Sequence, residues 1–151
     1  MSKIKTIFRF LLPDFLIQFY RSNKKNRINR KIAFQKQRGQ GLNKKDLYNC
    51  FYEIGIRPGD SLLVHSSLSK IGFVENGAVD VVDSLLEIIS DEGDLLMPSS
   101  ANGLLQIDFV KKDEVFDVKN TPSVLGSITE NFRKRDGVRR SLSYLEPVCA
   151  Y

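Results

Sequence analysis

The chain predicts an α/β fold, a partly parallel sheet flanked by helices, carried behind a basic arm. Three observations lead there. Two short apolar runs bounded by turn residues, 62–64 and 95–97, have the length and setting of buried strands. Between them, residues 76–90 repeat apolar side chains at helical spacing, and a strand–helix–strand unit of that size implies a right-handed crossover and parallel pairing. The charge is also divided. Residues 1–45 hold thirteen Lys and Arg against Asp14 alone (+12), whereas residues 46–151 hold ten against seventeen acids (−7). With 151 residues, 42% of them hydrophobic, the chain has room for one ordinary core.

Residues 4–20 are rich in Ile, Leu and Phe, but Arg9, Pro13 and Asp14 interrupt them. A spanning helix needs about 20 predominantly apolar residues, so this stretch is a poor candidate. Residues 21–38 then carry eight basic side chains and no acid. Two readings of this arm stand. One is an interfacial anchor on an anionic leaflet, a peripheral membrane contact through residues 1–38. The other is a helix packed on a partner, followed by a solvated basic linker. Gln40-Gly41 reads as the boundary, giving an arm over 1–40 and a domain over 41–151.

Asn43 suits a helix N-cap, with Asp46 in the first turn and Leu42 and Leu47 placed for a hydrophobic staple. Leu47, Cys50, Phe51 and Ile54 form an expected inner stripe ending at Gly55, which makes Cys50 a buried thiol. The strand over 62–64 runs into His65, a hydroxyl-rich loop and Gly72. In the helix over 76–90, Ala78, Val81, Val82, Leu85 and Ile89 face inward, and Asp80, Asp83, Ser84 and Glu87 form a solvated stripe. Glu92-Gly93 turns the chain into the second strand. Residues 100–120 give no regular pattern. Thr121 and Pro122 have the order of a helix cap and first position, with Leu125, Ile128 and Phe132 inward and Arg133 to Arg135 in the last turn.

The composition narrows function by exclusion. One histidine and two distant cysteines, Cys50 and Cys149, lack zinc-ligand spacing, so no metal is expected. No small-residue cleavage site follows the N-terminal apolar stretch, so a cytoplasmic setting is expected, peripheral at the inner membrane face only if the arm is an anchor. A nucleic-acid role would rest on the arm alone, because the remaining chain is acidic and shows no nucleic-acid module.

The segment G-D-S-L-L-V-H-S-S-L-S-K-I-G over 59–72 closely resembles the acyl-CoA-binding signature of the aminoglycoside 3-N-acetyltransferase family. E-G-D-L-L-M-P-S over 92–99, N-T-P-S-V-L-G over 120–126 and F-R-K-R-D-G-V-R-R-S-L over 132–142 follow in that family's order. The resemblance implies an antibiotic N-acetyltransferase-like fold, of which this chain would hold the N-terminal part as an incomplete domain. It also implies transfer of acetyl from acetyl-CoA to an amino group of an aminoglycoside or related amino sugar. One departure falls on the chemistry. Family members usually continue R-R-S-L with H-P-x-H-S, and here Ser143-Tyr144-Leu145-Glu146-Pro147 stands instead, with Glu146 in the second histidine position. The alternative is therefore a truncated, catalytically inactive member or a fragment.

Transfer to an amine needs a groove for the pantetheine arm, N–H donors for the thioester oxyanion and a base for the amine proton. Ser66, Ser67, Leu68 and Ser69 are the expected donor-binding residues, with Ser99, Thr121 and Ser123 nearby. His65 and Glu146 are the candidate bases. Arg139 and Arg140 could meet CoA phosphates. Each has a plainer reading: His65 as a residue that fixes its loop, the hydroxyls as turn and cap residues, Arg139 and Arg140 as a solvated helix exit, and Glu146 as an exposed side chain.

Overall fold

The apolar repeat that begins at Ala78 builds the helix around which the larger part of the chain is organised. In the computed structural model, residues 13–103, 110–111 and 115–151 are described. In chain order the elements are α1 (Asp14–Gln37), α2 (Lys44–Glu53), β1 (Ser61–Leu63), α3 (Leu68–Ile71), α4 (Ala78–Ile89), β2 (Asp94–Pro98), α5 (Ser127–Arg133), β3 (Arg139–Arg140) and β4 (Val148–Ala150). They fall into two units, 1–40 and 41–151. The first part of the expected apolar stretch, residues 4–12, lies outside the described residues, as do 104–109 and 112–114. Among the described residues no helix is long and apolar enough to cross a membrane.

In α4, Val81, Val82, Leu85, Ile88 and Ile89 are buried. They share the core with Leu95 and Met97 of β2, Ile128 and Phe132 of α5, and Cys149 of β4. The acidic side of α4 is not the solvated stripe its spacing predicts, because Asp80 and Ser84 are also buried. Asp80 accepts from the Asn76 backbone N–H (3.1 Å) and its side-chain amide (3.0 Å). The Ser84 hydroxyl lies 2.6 Å from the Asp80 carbonyl and 2.9 Å from the Lys44 carbonyl at the start of α2. A second helix packed on the polar side covers these groups, which periodicity within one helix cannot foresee.

The Asn43 cap forms as a reciprocal box. Its side chain accepts from Asp46 N (3.0 Å), and the Asp46 carboxylate accepts from Asn43 N (3.1 Å). The helix it starts is rotated from the predicted stripe. Leu47 is buried, Tyr48 and Phe51 pack against the core, and Cys50 and Ile54 are exposed. Cys149 is the buried thiol instead.

The sheet has the order β1-β2-β4-β3. β1 and β2 are parallel, as the crossover argument requires, with Leu62 opposite Leu95. β4 is antiparallel to both β2 and β3. The ladder extends through Tyr151, whose N–H donates to the Leu95 carbonyl (3.0 Å) while its carbonyl accepts from Leu95 N (3.2 Å). The last helix begins later than Thr121-Pro122 suggests, after Gly126 at φ +120°. Ile128 and Phe132 are buried as predicted, and Leu125 is exposed.

Gly93 marks the tightest junction of helix and sheet. A Cβ placed there would stand 2.6 Å from the Asp60 carbonyl oxygen and 2.8 Å from the Ile89 Cβ. Gly93→Ala is expected to cost about 1–3 kcal/mol by overpacking, read as a lower denaturant midpoint with an unchanged slope. An unchanged midpoint would show that β1 and α4 separate there at no cost.

Candidate functional site

Parallel strands deliver the segments beyond their carboxyl ends to one edge of a sheet, where α/β proteins hold ligands. Val64 extends β1 by donating its N–H to the Leu96 carbonyl (2.8 Å), and His65 then leaves the sheet. Ser67 precedes the single turn of α3, and its carbonyl accepts from Lys70 N (2.9 Å). Gly72 closes that turn at φ +115°, a conformation L side chains rarely adopt. The Ser67 and Ser69 hydroxyls lie 3.2 Å apart, and Leu68 packs inward against the core.

A cavity of about 540 Å³ opens beside β1. Its floor is apolar, with Phe51, Ile56, Leu62 and Val64, and its polar end is made by His65, Ser66, Ser67 and Lys70. A smaller cavity of about 130 Å³ lies beyond the strand ends, lined by Val64, His65, Ser66, Pro98, Leu125 and Thr129. Val64, His65 and Ser66 therefore line both cavities. His65 is exposed, and no group among the described residues hydrogen-bonds its imidazole. Leu125 and Thr129 were not singled out as site residues from the sequence. The only available signal was their position at the end of, and just after, the N-T-P-S-V-L-G segment.

Ser99, Thr121 and Ser123 line neither of these cavities. Ser99 is fully buried, its N–H donates to the Pro147 carbonyl (2.7 Å), and its hydroxyl has no hydrogen-bond partner among the described residues. The Thr121 hydroxyl accepts from Asp117 N (2.9 Å), and the Ser123 hydroxyl accepts from Leu125 N (3.3 Å). Both are engaged in shaping their own loop. Glu146 is exposed in the segment before β4, its N–H donating to the Ser143 hydroxyl (3.3 Å), and it shares neither cavity with His65.

Arg140 is not a solvated exit residue. Its guanidinium donates to the carbonyls of Ser99 and Thr121 (2.5 Å to the latter) and stacks over the Phe116 ring at 4.7 Å. Burial lowers its pKa from the usual arginine value. Arg133 is committed in turn to Glu130, with its Nε–H 2.9 Å from the carboxylate. A basic recess of about 610 Å³ lies along these residues, with Lys119, Lys134 and Arg139 at its rim. Among the described residues, no three His, Cys, Asp or Glu side chains gather where a metal ion could be held.

The sequence model of the family described as aminoglycoside 3-N-acetyltransferase matches residues 63–151. The SPbeta prophage-derived aminoglycoside N(3')-acetyltransferase-like protein YokD of Bacillus subtilis is 33% identical over 58% of this chain and 38% of its own length. Aminoglycoside N(3)-acetyltransferase IV of Salmonella sp. is 32% identical over 65% of this chain and 35% of its own. The crystal structure of a mutant of aminoglycoside acetyltransferase AAC(3)-IVa in complex with apramycin superposes with a TM-score of 0.63 and 29% identity, over 73% of this chain and 43% of that one. AAC-IIIb, solved as a binary complex with CoASH, shares the fold at 18% identity and a TM-score of 0.62, over 72% of this chain and 45% of that one. The chain spans less than half the length of each.

Glu130 carries the acid sensitivity of the loop beside the site. The Arg133 guanidinium, then the Ser123 N–H and Lys134, hold its carboxyl down to about 2 from an ordinary 4.5. A carboxyl whose pKa falls on folding contributes stability that is complete above its unfolded value and is lost as pH falls through the folded one. The window here runs from about pH 4.5 down to about 2. Glu130→Gln is expected to lower stability at neutral pH and to flatten the acid limb of a stability–pH curve across that window. Identical acid limbs in the two proteins would remove Glu130 from this role.

Proposed function

The chain belongs to the aminoglycoside 3-N-acetyltransferase family, and on that footing we propose that it transfers acetyl from acetyl-CoA to an amino group of an aminoglycoside or related amino sugar. The observation that carries this reading is the position of the His65–Ser66–Ser67 turn at the polar end of an apolar groove of about 540 Å³. The pantetheine arm is long, thin and largely apolar with amide groups at intervals, which suits such a groove. In this reading Ser66, Ser67, Leu68 and Ser69 hold the donor, and the unpaired N–H groups at the start of α3 face the thioester oxygen. Residues 41–151 are then the donor-side part of the acyltransferase domain. Ser99, Thr121 and Ser123 serve it by shaping the segments alongside.

The amine nitrogen attacks the thioester carbonyl carbon, a C–N bond forms, the C–S bond breaks and CoA leaves as its thiolate. The amine proton passes to a base and from there to the thiolate. His65 is better situated for this than Glu146, because it lines both cavities and Glu146 lines neither. The second reading, a family member that binds donor without turnover, draws on the departure at 143–147, where neither histidine position of the family pattern is filled.

Equilibrium binding of acetyl-CoA to the full chain tests the donor site. Replacing Ser67→Ala together with Ser69→Ala removes two hydroxyl contacts and is expected to weaken binding about tenfold or more. Unchanged affinity would sink the assignment. For the chemistry, thiol release across several aminoglycosides is the readout, and His65→Asn is expected to lower it by about a hundredfold or more while leaving donor affinity in place. Donor binding without thiol release in the unaltered chain would select the second reading.

A further inference from the structure

We infer that α1 lies along an anionic phospholipid surface, with one defined face toward the lipid. From residue 15 to residue 38 there is no acidic residue and there are eight basic ones. Charge alone would fit any polyanion, so the placement of the apolar groups decides. Phe15, Leu16, Phe19 and Tyr20 are all exposed, three of them by more than 60%. At about 100° per residue these four fall within one half of the helix circumference. Further along the axis, Arg27, Arg30 and Phe34 continue that half, and all three are exposed. The half-buried positions Ile28, Ile32 and Gln35 fall on the opposite side.

One exposed face thus presents aromatic and aliphatic groups at its N-terminal end and guanidinium groups beyond them. The apolar groups of the first turns would enter the acyl boundary and the cations beyond them would meet lipid phosphates, although over its whole length α1 is not amphipathic, since Arg21, Lys24, Lys25 and Lys36 lie off this face. A nucleic acid would use the cations on every side of the helix and would find no use for a solvent-facing cluster of Phe and Tyr. The inference is independent of the acetyl-transfer reading, since neither β1 nor the hydroxyl loop enters it.

Sedimentation of the full chain with phosphatidylcholine vesicles, with and without phosphatidylglycerol, tests it near physiological salt. Each basic residue near an anionic leaflet is worth about fivefold in partitioning. Arg27→Gln with Arg30→Gln is therefore expected to weaken binding to the anionic vesicles about twentyfold. Arg21→Gln with Lys25→Gln, the same loss of charge on the other side, is expected to weaken it only a few-fold. Phe15→Ser with Phe19→Ser is expected to lower partitioning as well, with helicity checked by circular dichroism. Equal losses in the two charge pairs would overturn the oriented face, and equal binding to neutral vesicles would overturn the anionic one. Retention of a nucleic-acid duplex in place of vesicles would overturn the lipid assignment.

Discussion

Three backbone pairings, Ser61 with Asp94, Leu62 with Leu95 and Leu63 with Leu96, hold β1 parallel to β2. Almost everything at the candidate site depends on them. A parallel register sends both strand ends to the same edge, so His65 and Pro98 come to line one cavity although 33 positions separate them in the chain. An antiparallel pair would have put the two motifs at opposite ends of the sheet. The pairing needs a crossover of fixed length, which α4 supplies, and a close approach where α4 turns back, which only Gly93 allows without displacing the Asp60 carbonyl. Packing of α4 and position of the hydroxyl loop are in this sense one constraint.

Arg140 is the polar counterpart of that constraint. Its planar fork reaches carbonyls on two separate segments, at Ser99 and at Thr121, from a strand of only two residues. Lysine has no such geometry, since a single ammonium cannot hold two diverging carbonyl segments in plane while stacking on the Phe116 ring. A desolvated guanidinium is costly to bury unless its donors are satisfied; the two terminal nitrogens of Arg140 find carbonyls of the loops beside the cleft, while its Nε has no partner among the described residues. Glu130 repeats the pattern at the next segment, accepting from Ser123 N while paired with Arg133. The loops that carry Ser99, Thr121 and Ser123 are thus held by charged side chains reaching their backbone, in addition to the Thr121 and Ser123 hydroxyls.

What the sequence makes legible here is what local periodicity and caps encode. The apolar stripe of α4, the Asn43 cap and the parallel strand pair rest on residues close together in the chain, and they occur as read. The departures all depend on a partner outside the local pattern. Ser84 is buried because Lys44, 40 residues away, covers it, and the stripe of α2 turns toward Tyr48 instead of Cys50 because α4 packs there. The last helix starts after Gly126 because Glu130 draws the Ser123 N–H into a loop. β3 and β4, two and three residues long, have no readable pattern at all. Arg139-Arg140 resembles a basic helix exit until Cys149 pairs with it. At the candidate site, the sequence reading reaches His65 to Ser67, one contiguous turn, but not Leu125 and Thr129, which line the smaller cavity from another part of the chain.

The division of charge bears on how an anionic donor would be held. Residues 46–151 carry −7 overall, which opposes a phosphate-bearing ligand at long range, although screening confines that opposition to about 10 Å at ordinary salt. Within that distance the local cations decide. Arg133 and Arg140 are not among them, because their guanidinium groups are consumed by Glu130 and by backbone carbonyls. Lys70 is exposed on the wall of the cavity beside β1, one turn from Ser67. A cation at that point of the groove, set against the hydroxyls at its polar end, would attract the charged end of a long ligand without competing for the thioester. The apolar floor then selects for what lies between. The net charge of the domain would accordingly be a poorer guide to the sign of a ligand than the arrangement of one lysine, two serines and an apolar wall.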